Sequence, residues 1–296
     1  MRVDPFYVQG LVGALTDATA NEAKLSTELS SGLRLTNLST DPVAAAQATI
    51  LGSSIAADDS YVQAASSAQS KLQVTTSALG EVVSQLTQAI TLAVSGGNGT
   101  LSPSNLSGIG LQLSQIRDQV FSLANTTYLG QYVFGGSQGQ TAPFVQSTPS
   151  TSTYVGDQAL QYTTTENGQK IQTNLSGSSV FDATGSSVFQ ALNQVVSDFN
   201  SGATSDQIAS DAGVLSNALD TVSTQRSVID TSLAQLQSTS TYAQTDAAQQ
   251  TAALSTLVSA NTAQVATSLS NVETQSQALI ATITALEKGS LFDYIK

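Results

Sequence analysis

The chain has 296 residues and a formal net charge of −12, yet only 10% of its residues are charged, so its polarity rests on Ser, Thr, Gln and Asn. It contains no Cys, His or Trp, which removes the side chains behind most metal sites and nucleophilic triads and any disulfide framework. Its nine basic residues are scattered singly, leaving no electrostatic footprint for nucleic acid or an anionic membrane, and no run approaches the ~18 apolar residues of a membrane span.

The N-terminus imitates a signal peptide weakly: Arg2 precedes Gly10-Leu11-Val12-Gly13-Ala14-Leu15, but Asp4, Gln9 and Asp17 interrupt the apolar stretch. No cleavage is expected, so a surface role would need another export route. Leu11, Leu15, Ala18, Glu22, Leu25 and Leu29 alternate spacings of four and three, a heptad seam with one charge inside it. Gly32 is a helix stop. Asp41 and Pro42 then start a second helix, the carboxylate capping exposed amides and the proline fitting the first turn. This helix is expected to run to about Val94, with its seam on Leu72, Thr76, Leu79, Val83, Leu86, Ile90 and Ala93, and to end at Gly96-Gly97-Asn98-Gly99. A third helix carries Leu106, Ile109, Leu113, Ile116, Val120 and Leu123.

After Asn125 the texture changes. Tyr132-Val133-Phe134, Tyr154-Val155, 160–165 and Lys170-Ile171-Gln172-Thr173 are short β-type runs, and Asn167-Gly168 is a hairpin signal. From about Val188 helix returns. Leu215, Leu219, Val222, Arg226, Ile229, Leu233 and Leu236 form the cleanest seam in the chain. The last helix carries Leu254, Val258, Asn261, Val265, Leu269, Val272, Leu279, Ile283 and Leu286, with a slip of rhythm near Leu269, and Gly289 ends it before the apolar tail that opens with Leu291 and Phe292.

This order predicts a mainly α protein with an inserted β domain: an elongated rod of long antiparallel, coiled-coil-like helices with both termini at one end. Residues 1–40 and 255–296 form a terminal helical domain, 41–128 and 205–254 a helical rod, and 129–204 a small β domain. The seam of the terminal pair contains Glu22 and Asn261, so it is expected to be loose alone and ordered by neighbouring subunits.

Several strings resemble one family. Leu29 to Ala48, with its Ser-Gly-Leu-Arg turn ending at Arg34, its Asp41-Pro42 helix start and its alanine run, resembles the N-terminal region of bacterial flagellins and their relatives. Ile116-Arg117-Asp118-Gln119-Val120-Phe121 through Asn125 is similar to the end of the family's second inner helix, and Asp220 to Arg226 to its return helix. Gly130-Gln131-Tyr132-Val133-Phe134-Gly135-Gly136, Thr141-Ala142-Pro143-Phe144, Met1-Arg2-Val3 and Ser290-Leu291-Phe292-Asp293-Tyr294-Ile295 look like the hook–filament junction branch of the family more than bulk flagellin. The resemblance spans about residues 1–145 and 205–296. The opening Asp4-Pro5-Phe6-Tyr7 departs from it, and the β insert matches nothing residue by residue.

The resemblance implies a structural subunit, not an enzyme, with no cofactor or metal, located in the extracellular flagellum at the hook–filament junction. It implies export without a cleaved signal, assembly as a homo-oligomeric ring, and contacts with a neighbouring hook-associated protein and flagellin. Terminal-helix contacts would come from Leu11, Leu15, Leu25, Leu29, Val265, Leu269, Val272, Leu279, Ile283, Leu286, Leu291 and Phe292. Contacts between the inner helices of adjacent subunits would involve Arg34, Asp41, Pro42, Arg117, Asn125 and Arg226. A cytoplasmic export chaperone would take the apolar face of Leu269, Val272, Leu279, Ile283 and Leu286 in a hydrophobic groove. Arg117 matches a flagellin segment read by an innate immune receptor, but Gln119 and Phe121 do not, which favours packing between subunits. Bulk flagellin, or a secreted β-domain adhesin on a helical stalk, are the alternatives.

Other signals carry less. Gly135-Gly136-Ser137-Gln138-Gly139 has no following Lys-Ser/Thr and is no phosphate loop. Asp58-Asp59 reads as a solvated face. Arg226, inside an apolar seam, either pairs with Asp118 or Glu81 or lays its stem on the seam with its head in water.

Overall fold

A computed structural model describes residues 5–36, 39, 41–99, 101–148, 151–165 and 167–292. Thr40 and the outer motifs Met1-Arg2-Val3 and Asp293-Tyr294-Ile295 lie outside these residues, as do the side chains of Leu291 and Phe292. Among the described residues seven helices and six short strands follow one another: α1 (Pro5–Ser31), α2 (Pro42–Gly96), α3 (Pro103–Ala124), β1 (Thr127–Tyr128), β2 (Gln131–Tyr132), β3 (Phe144–Thr148), β4 (Thr151–Tyr154), β5 (Tyr162–Thr164), β6 (Lys170–Gln172), α4 (Gly177–Phe181), α5 (Val188–Ser201), α6 (Ser205–Val258) and α7 (Thr262–Phe292). The protein is mainly α with a small inserted β region. It divides into two compact units, residues 1–56 with 246–296, and residues 57–245.

The larger unit holds the core. Along α2 in this unit Asp58, Tyr61, Ala65, Leu72, Thr75, Leu79, Val82, Leu86, Ala89 and Ala93 are buried and alternate by threes and fours once half-buried Ala68 is included, with Ala78 and Gln85 buried beside the stripe. The expected seam shared Leu72, Leu79, Leu86 and Ala93 with this one, but Thr76, Val83 and Ile90 are only half-buried, and the deepest places go to Thr75, Val82 and Ala89. Thr75 and Thr76, and Val82 and Val83, are identical neighbours, so spacing alone cannot choose between them; only at Ala89 and Ile90 does the smaller residue take the inner place, where a helix packs on several neighbours. The same register buries Asp58, only 1% exposed, against the expectation of a solvated face.

Helix ends follow local chemistry. Asp41 accepts the Ala44 amide through Oδ1 at 3.0 Å, and Pro42 occupies the first position of α2. Ser102 caps α3 by accepting from the Asn105 amide, with Pro103 behind it. Gly96 is the last residue of α2. A Cβ there would lie 2.3 Å from the Phe199 ring, so it serves close packing of α5 as well as helix termination.

The inserted strands form three separate antiparallel pairs, β1–β2, β3–β4 and β5–β6. β5 and β6 are joined as expected through Asn167-Gly168: Gly168 takes φ +78° and its amide donates to the Thr165 carbonyl. β3 was not foreseen. The Tyr132 strand stops at Tyr132, and Val133 and Phe134 turn into the core instead. Phe134, Phe144, Tyr154, Phe181, Phe189 and Phe121 form one aromatic cluster with centroids 5.1 to 6.0 Å apart. With no sheet large enough to bury a face, this cluster supplies the insert's core and ties it to α3 and α5. Asn125 fixes its edge: the side-chain amide donates to the Phe144 carbonyl and the side-chain carbonyl accepts the Phe144 N–H, both at 3.0 Å.

The Gly-rich loop has a different role from a phosphate cradle. Its Ser137 amide and the Ala159 amide both donate to Asp157 Oδ1, at 2.8 and 3.0 Å, and the Ser137 hydroxyl donates to Oδ2. These bonds, those from Ser137 first, hold the Asp157 carboxyl below its usual range. The loop wraps a carboxylate of its own chain.

In the smaller unit α1 packs on α7. Gly32, at φ +68°, ends α1 with its amide on the Glu28 carbonyl. The expected last helix is two: α6 runs on through Leu254 to Val258, and α7 restarts at Thr262. Asn261 lies between them, and its side chain accepts the Gln264 amide. From Val265 the spacing then runs through Leu269, Val272, Ser276, Leu279, Ile283 and Leu286 without a slip. The slip seen near Leu269 comes from counting across the break at Asn261, and Ser276, skipped in the expected seam, is buried.

Candidate assembly interface

The two connections of the smaller unit are bound to each other. Leu33 and Ser259 form an antiparallel bridge, with Arg34 N–H on the Val258 carbonyl at 2.8 Å and Ala260 N–H on the Gly32 carbonyl at 2.9 Å. Arg34 completes this clasp. Its Nη2 donates to the Leu257 carbonyl at 3.0 Å, satisfying an orphan carbonyl in the last turn of α6, and its Nη1 lies 3.4 Å from Asp41 Oδ2. The Ala44 amide does most to hold the Asp41 carboxyl below its usual range; burial opposes it, and Arg34 adds to the lowering. Arg34 and Asp41 are thereby brought together in one clasp, and Pro42 is exposed beside it.

From this clasp α1 and α7 run antiparallel. The facing positions are Leu11, Leu15, Ala18, Glu22, Leu25 and Glu28 on α1, and Val265, Leu269, Val272, Ser276, Leu279, Ile283 and Leu286 on α7. Of these only Ala18, Glu28, Val265 and Ser276 are buried; the six leucines, Ile283, Val272 and Glu22 are half-buried. Leu29, expected in the seam, is 37% exposed, because Glu28 takes the inward position, its carboxylate 3.9 Å from Lys24 Nζ. The outer faces of this unit carry Tyr7, Val12, Val43, Ile50 and Ile280, each about half exposed or more. The pair thus has a thin seam and exposed apolar residues on its flanks.

The remaining predicted contact residues sit in the larger unit. Arg117 is buried and gives two N–H bonds to Asp118 Oδ1, at 3.0 and 2.9 Å. Asn125 is engaged with Phe144. Arg226 pairs with neither Asp118 nor Glu81; its Nε is 3.8 Å from Asp230 on its own helix, and its guanidinium lies over Gly80. Asp118 is occupied by Arg117, and Glu81 accepts from Gln85, which leaves the i+4 carboxylate as the partner in reach. Sequence reading passed over Lys71 and Asp211. The only signal for the first was that Lys71 is the single cation between Arg34 and Arg117.

Among the described residues no helix is long and apolar enough to cross a membrane. Residues 12–139 match the bacterial flagellin N-terminal helical region. The chain is 28% identical to the flagellar hook-associated protein 3 of Salmonella typhimurium over 306 aligned positions, covering 97% of this chain and 96% of the relative. Its fold is similar to that of a flagellar hook-associated protein from Vibrio parahaemolyticus, with a TM-score of 0.67, 18% identity, 74% of this chain covered and 99% of the other. It is also similar to the flagellar junction protein from Legionella pneumophila, with a TM-score of 0.61, 16% identity and 72% and 100% covered. The matched helical region, the end-to-end similarity and the shared fold make this chain similar to the N-terminal part of bacterial flagellins and to flagellar hook-associated proteins.

Proposed function

We propose that the chain is a structural subunit of the bacterial flagellum that forms the junction between hook and filament and is built in through its terminal helices. The observation that carries this reading is the α1–α7 pair: two long antiparallel helices with only four buried seam positions and apolar flanks, in a chain similar along its length to a hook-associated protein. Many modest helix contacts repeated around a ring add up through linkage, where one pair would be weak. The polar Glu28 and Ser276 inside the seam keep the isolated pair marginal.

In this reading residues 1–40 and 255–296 line the inner tube, 41–128 and 205–254 form the next shell, and 129–204 face outward. Its neighbours are another hook-associated protein and flagellin, its location is extracellular, and it leaves the cell without a cleaved signal. A cytoplasmic chaperone covers Leu269, Val272, Leu279, Ile283 and Leu286 before export. No step of this function requires catalysis or a cofactor.

The test is electron microscopy of the purified chain added to isolated hooks, to filament seeds with a precipitating salt, and to both. Short caps on hooks that then accept flagellin support the junction role. Long filaments made of this chain alone would make it a bulk filament subunit and overturn it. Ile283→Asp is expected to leave the larger unit folded while abolishing cap formation; normal caps from that variant would remove the terminal helices from the mechanism.

A further inference from the structure

A groove of about 490 Å³ opens in the larger unit where the middle of α2 meets the β1–β2 turn and the segments flanking β5 and β6. Its floor is Ala64 and Ala68, one turn apart on α2, and one turn further on the same helix stands Lys71. Lys24, Arg34, Arg117 and Arg226 each have a carboxylate at 3.9, 3.4, 2.9 and 3.8 Å respectively. Lys71 has, among the described residues, only the neutral Gln161 side-chain oxygen at 3.4 Å. Burial holds its ammonium below the usual value, the mark of a cation stripped of water without a counter-charge.

The lip of the groove is as unusual as its base. Leu129 is 84% exposed and takes φ +49°, the only non-glycine positive φ among the described residues. A leucine in the left-handed region is costly, and a strained residue held at a solvent-facing turn points to a task at that turn. Here the strain sets an apolar side chain on the rim, with Tyr128 and Gln131 beside it.

We propose that this groove is a contact between copies: it receives an acidic side chain from a second copy of this chain, the carboxylate meeting Lys71 and the adjoining apolar surface covering Leu129. The proposal rests on the assembly reading above. Charge balance selects the occupant. The chain carries 21 acidic and nine basic residues, so copies brought side by side repel one another unless cations stand at their contacts. The basic side chains named above are mostly spent on their own carboxylates, and Lys71 is the one that is set in a groove, desolvated and lacking one. The Ser67 and Thr173 hydroxyls on the groove wall supply further donors for a carboxylate.

The test places the photocrosslinker p-benzoylphenylalanine at position 129 of the full chain in flagellated cells, followed by purification of hook–filament structures and peptide mapping. The expected result is a crosslink to a second copy, within a peptide of this chain that bears Asp or Glu, reduced at least about fivefold by Lys71→Glu. Structures that contain the chain but give no crosslink between copies, a crosslink to another protein, or a crosslink indifferent to Lys71→Glu would overturn the proposal while leaving the assembly reading intact. Absence of the chain from these structures would overturn both. Lys71→Gln, with unchanged helical circular dichroism, separates loss of contact from loss of fold.

Discussion

Replacing Asn125 by Ala should unfasten the inserted region from α3. The Asn125 side chain makes two bonds to one residue, accepting the Phe144 N–H and donating to its carbonyl, each at 3.0 Å. Phe144 is 2% exposed, and its ring touches Tyr154, Phe181 and Phe189. Each buried backbone group left without a partner costs about 1–3 kcal/mol. Water reaches the half-buried Asn125 side and recovers part of this, so the expected loss is about 2–3 kcal/mol. Asn125→Asp keeps an acceptor for the N–H but sets a carboxylate against the Phe144 carbonyl. It should cost nearly as much at neutral pH and recover on acidification, when the protonated carboxyl can donate. Denaturant unfolding followed by near-ultraviolet circular dichroism, together with hydrogen exchange of the Phe144 amide, reads both effects. Asn125→Ala within 0.5 kcal/mol of the parent (about the noise of surface substitutions), with Phe144 still protected, would refute the reasoning.

Other expectations follow from single sites. Burial, and then Asp198 beside it, raise the Asp211 carboxyl to about 6, so the folded state binds its proton more tightly than the unfolded chain does. This contribution is present at pH 4 and is lost as pH rises through 6; Asp211→Asn should gain on the order of 1 kcal/mol over the parent at pH 7.5 and little at pH 4.5, measured by denaturant titration at both values. Gly96→Ala should cost about 1–3 kcal/mol because its Cβ would overlap the buried Phe199 ring, whereas Gly108→Ala, with open space around it inside α3, should stabilise by about 0.5–1 kcal/mol; equal melting temperatures for the two would contradict the packing. Arg34→Ala should change global stability by less than about 1 kcal/mol, its ion pair being exposed, but should speed hydrogen exchange at Ala260 and in the Val258 to Thr262 connection.

The sequence by itself determined most helix ends, though not the break between α6 and α7, and which family the chain resembles. Those features rest on near neighbours: Asp41 reaches the Ala44 amide, Gly32 takes the left-handed turn, and leucines three and four apart share a face whatever lies opposite. The Arg34 motif was legible as a string, but its work was not, since the Leu257 carbonyl it binds is 223 residues away. The same limit explains the seam of α2, where spacing picked Val83 and the helices around it buried Val82 instead. It also explains the β region, where Phe144 reads as loop until Asn125 and three aromatic rings surround it. The Lys71 groove and the Asp198–Asp211 pair lay beyond sequence altogether, because desolvation and the proximity of charges are properties of the packed chain. Only the tertiary structure decided which apolar faces were spent inside the molecule and which, on α1, on α7 and at Leu129, stayed exposed, because burial depends on what packs opposite and not on spacing along the chain.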